Sequence, residues 1–219
     1  MTTLKAVLKR IRRELKDREK IRERVQTDMR KITSTSKQAI LFIHQKKLKE
    51  AKRLLSKARE VISRLNGLAK EHPDIVHSGL YDVALQEYAE ACIFLTLIEE
   101  GRFVTPTEIN VPSMDYVLGL ADVIGEYRRL TLDTLREGDV KKSEECLRLM
   151  DEIYTELMAM DEAYMLVPGL RRKCDIARKI IETTRGDVTH EARRQSLEKH
   201  MKRLEKLEKR FEALGKRRS

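Results

Sequence analysis

Residues Tyr116–Arg129 read YVLGLADVIGEYRR. From Tyr116 to Ile124 the run is apolar except for Asp122, and Glu126 follows four residues later. Side chains four apart share a helix face, so both carboxylates are expected on one side of a largely buried helix. A carboxylate in an apolar setting is costly unless it is ion-paired, hydrogen-bonded or metal-bound. The stretch therefore predicts a helical core and asks what neutralises two acids inside it.

A second stretch upstream has the same character. Ala84–Ile98, ALQEYAEACIFLTLI, is apolar on nearly every side, and its only charges are Glu87 and Glu90. A helix that is hydrophobic all round is a buried one. Residues three apart are neighbours on one face, so Glu87 and Glu90 form a second carboxylate pair. One carboxylate on a helix is ordinarily a boundary residue paired with Arg or Lys. Two such pairs on two apolar helices suggest a shared task.

The flanking segments fit an all-α chain. Residues 2–44 contain no Gly or Pro, and Leu4, Leu8, Ile11, Leu15, Val25, Met29, Ile32, Ala39 and Ile43 follow an alternating three–four spacing. That seam wants a helical partner. A second helix is expected from about Leu48 to Leu68, and a third from Asp74 to Glu100. The fourth carries Asp122 and Glu126 and ends near Arg136. Gly138-Asp139 closes it and caps a fifth, which runs to about Tyr164. Pro168-Gly169 marks a turn before a sixth helix, Leu170–Thr184. Arg185-Gly186-Asp187 reads as another turn, and the last helix carries Leu197, Met201, Leu204, Leu207, Phe211 and Leu214. Gly119 and Gly125 are unusual inside a helix, where each costs about 1 kcal/mol relative to Ala. They imply close helix contact, room for a ligand, or both. The expectation is one domain, 1–219, with about seven helices and a long first one.

Composition agrees. Of 219 residues 41% are hydrophobic, enough for a real core, and 9 Gly with 4 Pro leave few corners for a sheet protein. Charge is segregated. Residues 1–70 hold 22 basic and 7 acidic side chains, 71–165 hold 7 and 21, and 166–219 hold 17 and 8. Basic helices attract polyanions, while an acidic middle repels them unless cations sit there. Within the first helix Arg13, Lys16, Lys20, Arg24 and Lys31 lie off the apolar seam and line up as a rail for phosphates; the plainer reading is a solvated face. Cys92, Cys146 and Cys174 are odd in number and widely spaced, which argues against a disulfide framework or a zinc site. Met1–Lys20 is charged throughout, unlike a secretory leader, and no apolar run is long enough to span a membrane. A reducing, cytoplasmic setting with no membrane partner is expected.

Four oxygen-donor side chains without His or Cys suit a hard cation, Mg²⁺ or Mn²⁺. If the third and fourth helices pack side by side, Glu87, Glu90, Asp122 and Glu126 converge on it. One or two such ions bind a phosphodiester, acidify an attacking water and stabilise the leaving oxygen. Arg128 and Arg129 follow directly and are candidates for phosphate contact, with surface pairing the competing role. P-loop, GxSxG and GxGxxG motifs are missing, and none of the five histidines stands three residues after a Glu, against a ferritin-like di-iron plan.

At these residues the chain resembles the translin/TRAX (translin-associated factor X) family. The similar stretches are DREKIRERVQTDMRKITSTSKQAILFIHQ (Asp17–Gln45), HSGLYDVALQEYAEA (His77–Ala91) and DYVLGLADVIGEYRR (Asp115–Arg129). LQEYAEA and GLADVIGE are the specific motifs. The resemblance implies a helical protomer that assembles into a closed homo-octamer with RNA inside. It also implies a TRAX-type, metal-dependent endoribonuclease site on Glu87, Glu90, Asp122 and Glu126. Its substrate would be single-stranded or short duplex RNA, with single-stranded DNA as a further polyanion. Gly101–Val111 is short where eukaryotic TRAX carries a longer insertion, which suggests a compact archaeal homologue that assembles with itself. The alternative is a translin-like binder without catalysis. A third possibility is a structural oligomer whose charges serve assembly.

Overall fold

The computed structural model describes residues 3–215, with side chains described outside 161–163 and 211–215. Among the described residues there are nine helices and no strand. They are α1 (Leu4–His44), α2 (Leu48–Ala69), α3 (Pro73–Val76), α4 (Gly79–Glu100), α5 (Pro106–Ile109), α6 (Ser113–Arg136), α7 (Val140–Met158), α8 (Asp161–Leu166) and α9 (Leu170–Gly215). The all-α expectation holds. Six of the nine are long and three are short.

The chain divides into two compact units. The first comprises Met1–Val123 and Met160–Lys173. Its core forms where α1 packs on α2 and α4. Val25, Met29, Ile32, Ala39 and Ile43 of the α1 seam are buried, beside Leu55, Ile62 and Leu65 of α2 and Ala89, Ile93 and Phe94 of α4. The first half of the same seam behaves differently: Leu4, Leu8, Ile11 and Leu15 are exposed. The third expected helix is split. Ser78 adopts an extended conformation and starts α4, leaving α3 as a single turn with Pro73 at its first position. Gly101, at φ 68°, ends α4 in the left-handed region that glycine enters at least cost. The loop that follows holds α5, started by a reciprocal capping box between Thr105 and Glu108.

The second unit comprises Ile124–Ala159 and Cys174–Ser219. Ile124 and Tyr127 of α6, Cys146, Met150, Ile153 and Leu157 of α7, and Ala177, Ile181 and Val188 of α9 are buried. Polar groups in it are satisfied locally: the Thr134 and Ser143 hydroxyls lie 2.7 Å apart and the Ser143 hydroxyl donates to the Asp139 carbonyl. Gly138, at φ 81°, and Asp139, whose side chain accepts from the Lys142 N–H, make the expected corner.

Two sequence expectations fail here. α7 stops at Met158 rather than running to Tyr164. The Arg185-Gly186-Asp187 turn does not exist: α9 passes straight through it. A single Gly costs a helix only about 1 kcal/mol, and here its neighbours are held. Arg185 makes a two-pronged contact with Asp151 of α7 at 2.7 and 2.9 Å, and Arg128 of α6 reaches both Thr184 and Asp187. Of the last apolar stripe, Leu197, Met201, Leu204 and Leu207 are exposed, and the side chains of Phe211 and Leu214 lie outside the described residues.

Candidate functional site

The two acidic stretches meet at a glycine. A β-carbon placed on Gly119 would lie 2.8 Å from the Gln86 carbonyl oxygen, 2.9 Å from the Ala89 β-carbon and 2.9 Å from the Glu90 nitrogen. The backbone of α6 thus touches that of α4 between the two glutamates of QEYAE, one turn before Asp122. Such an approach tolerates no side chain, which explains the glycine. Gly125, by contrast, faces open space, since nothing lies within 4 Å of its would-be β-carbon. The two glycines therefore answer to different needs.

Glu90 is buried and Glu87 half-buried. Glu87 is met by the Lys37 ammonium of α1 at 3.1 Å, and Asp122 is ion-paired with Lys173 of α9. These four residues belong to the first unit; Glu126, one helical turn beyond Asp122 on α6, belongs to the second. Among the described residues, no three His, Cys, Asp or Glu side chains are grouped as a metal ion would require. The candidate donors are all oxygens, and two of them, on Glu87 and Asp122, are each already neutralised by a lysine. Neither lysine was among the sequence-derived candidates, because each stands about fifty positions from its partner and no local spacing announces the pairing.

The basic row is exposed as expected: Arg13, Lys16, Lys20, Arg24 and Lys31 all lie on the surface of α1. At 100° per residue they fall within an arc of about 80° on the side away from the buried seam. Lys20 lies 3.6 Å from Asp17, an exposed i,i+3 pair of little strength. Other α1 charges are tied down across helices, as in Arg18–Asp74 and Asp28–Arg64. Arg129 is exposed. Arg128 is not free for phosphate, since it donates to the Thr184 hydroxyl at 2.7 Å and lies 3.4 Å from Asp187. Of the two arginines, this one serves α9.

The first unit also contains a cavity of about 460 Å³ that sequence reasoning missed. Asn66, His77, Tyr81, Asp82 and Asp115 line it. The Tyr81 hydroxyl donates to Asn66 Oδ1 at 2.6 Å. Burial, with Asp82 adding like-charge repulsion, pushes the Asp115 carboxyl up to about 6 against a hydrogen bond from Gln86. All three cysteines are buried, and burial raises the Cys92 thiol to about 12, so it is held protonated. Among the described residues, no helix is long and apolar enough to cross a membrane.

Comparison with known proteins identifies the family and the fold. The family model described as Translin family matches residues 20–207, which takes in both carboxylate stretches. A protein of Methanocaldococcus jannaschii described as uncharacterized is 33% identical over 192 residues, covering 87% of this chain and 85% of that protein. Among solved structures, AfC3PO in a duplex RNA complex is 34% identical with a TM-score of 0.73, and AfC3PO alone is 35% identical with a TM-score of 0.74. Both comparisons cover 84% of this chain and 96% of the other. Apo-NeC3PO, at 21% identity and a TM-score of 0.76, shares the fold.

Proposed function

The chain belongs to the Translin family, and we propose that it binds RNA in an assembly of like copies and cleaves it as a metal-dependent endoribonuclease. The observation that carries this reading is the backbone contact at Gly119, which sets Glu87, Glu90 and Asp122 on adjoining helices. Glu126 completes the set one turn along α6. These four carboxylates would hold Mg²⁺ or Mn²⁺, which when bound supplies Lewis acidity and an activated water. The exposed row on α1 holds the phosphates of single-stranded or short duplex RNA through charge, with little sequence preference. The duplex RNA complex of AfC3PO supports the polyanion assignment. Single-stranded DNA offers the same phosphates, and a closed homo-octamer is the finer form of the assembly we propose.

A second reading has its own support. Glu87 and Asp122 are each satisfied by a lysine, and no three candidate ligands are grouped among the described residues. This arrangement suits an RNA binder without turnover. Labelled RNA incubated with purified protein and Mn²⁺, with and without EDTA, separates the two. We expect EDTA-sensitive cleavage that disappears in Glu126→Gln while RNA binding persists. Undiminished Mn²⁺-dependent cleavage by that variant would overturn the catalytic assignment, and absence of products from the wild type would leave the binder.

A further inference from the structure

The heptad register of α1 runs from Leu4 to Ile43. In its first half Leu8 and Leu15 stand at position a, and Leu4 and Ile11 at position d. From Val25 onward the same seam is buried in the core of the first unit, but these four side chains are exposed. Arg18 and Arg22, at d and a, mark the change. The end of α9 carries a second seam of the same kind, with Leu197 and Leu204 at a and Leu207 at d, and it is exposed too. An apolar heptad seam of this length is a surface for another helix.

Charge at the flanking e and g positions selects the partner and its direction. Laid antiparallel, with Leu8 level with Leu207 and Ile11 with Leu204, α1 and α9 bring Lys5 opposite Glu208 and Glu14 opposite Arg203. All four of these charged residues are exposed. Glu19 falls opposite Arg194, which Glu191 and Glu198 already hold. Arg12 meets Met201 and Val7 meets Arg210, so no like charges face each other. Pairing α1 with a second α1, Leu8 level with Ile11, sets Lys5 against Arg12 twice. Pairing two α9 ends, Leu204 level with Leu207, sets Arg203 against Arg210 twice.

We propose that the first half of α1 in one copy packs antiparallel on the end of α9 in a second copy. This rests on the assembly of like copies proposed above and deepens it by naming the two surfaces that meet. Each copy carries one seam of each kind, so the contact can repeat from copy to copy until the assembly closes. The basic row is left open by it. Arg13, Lys16, Lys20, Arg24 and Lys31 occupy the outer positions b, c and f, so the same helix serves a partner with one face and phosphates with the other.

The test joins crosslinking to charge exchange in the full-length chain. A short bis-maleimide applied to Leu8→Cys/Leu207→Cys should link one copy to the next and give bands above the 25.6 kDa of one chain. Neither single-cysteine variant should do so, since Cys92, Cys146 and Cys174 are buried. Glu14→Arg and Arg203→Glu each set like charges across the contact and should raise the dissociation constant of the assembly, read by light scattering on dilution, by about threefold to tenfold. The two changes in one chain should restore it. A wild-type assembly that persists with no such crosslink, with linkage inside a single chain only, or with Leu8→Cys joined to itself overturns this pairing and leaves the assembly standing. So does a double charge variant no better than its parents. A wild type that is monomeric at every concentration overturns both.

Discussion

Asp115 shows how one buried carboxyl can set the pH response of the first unit. Its folded value of about 6 lies above the ordinary 3.8, with burial the larger cause and the neighbouring Asp82 the smaller. A raised carboxyl destabilises the fold while it is ionised. The penalty is therefore complete above pH 6, shrinks as pH falls through that value, and vanishes below 3.8. Asp115→Asn should accordingly stabilise the chain at pH 8 by about 1–3 kcal/mol, and the gain should fade toward pH 4. Thermal midpoints of both proteins between pH 4 and 8 would show it, and a gain independent of pH would contradict the argument. Sequence reading passed over this residue although it adjoins the deciding stretch, because Asp115 looks like an ordinary first-turn acid of α6. The same limit applied to the site itself. The spacing of Glu87 with Glu90 and of Asp122 with Glu126 was readable, since it depends only on helix period. The lysines that answer them were not, since those pairings depend on how distant segments fold together.

At the scale of helices, glycine separates packing from space. Gly119 sits where α6 and α4 are in backbone contact. An alanine there must push aside a carbonyl, a backbone nitrogen and another alanine, none of which can rotate away. The overpacking cost of about 1–3 kcal/mol exceeds or cancels the helix-propensity gain of about 1 kcal/mol. Gly119→Ala should destabilise the chain by up to about 2 kcal/mol, whereas Gly125→Ala, with open space around it, should stabilise it by about 1 kcal/mol. Urea denaturation of the two variants measures both, and equal effects would refute the distinction. Helix identities were legible from period and apolar content, and so were the Gly101 and Gly138 stops, where the chain needs a positive φ. Gly186 was misread because composition cannot tell a glycine that ends a helix from one that the helix passes over. Ion pairs on both sides decided that case. The break at Ser78 went unseen although His77-Ser78-Gly79 offers a serine at the cap position, a start signal that the expected Asp74–Glu100 helix ran across.

For the molecule as a whole, the charge pattern and the exposed surfaces point the same way. α1 turns one face to the core of its own unit. Its opposite face keeps five cations, of which only Lys20 pairs among the described residues, and weakly, with Asp17. Its first half leaves Leu4, Leu8, Ile11 and Leu15 exposed, and the end of α9 does likewise with Leu197, Met201, Leu204 and Leu207. Seams of this kind suit the assembly of copies proposed above. The basic row makes a quantitative prediction about RNA. Each phosphate contact releases counterions, so affinity for a duplex falls with salt at about 0.9 logarithmic units per contact, and about 0.7 for a single strand. Replacing Arg13, Lys16, Lys20, Arg24 and Lys31 together with alanine should weaken binding for every sequence tested. It should also flatten the salt slope by up to about 4.5 for duplex RNA. Arg128→Ala should instead leave the slope alone and lower thermal stability, because its guanidinium is spent on Thr184 and Asp187 of α9. Gel shifts of both variants across 50–300 mM salt, roughly the range over which such contacts weaken measurably, distinguish a phosphate rail from a merely solvated face. An unchanged slope in the five-residue variant would assign the row to solvent and move the search for the RNA contact to Arg129 and the remaining basic surface.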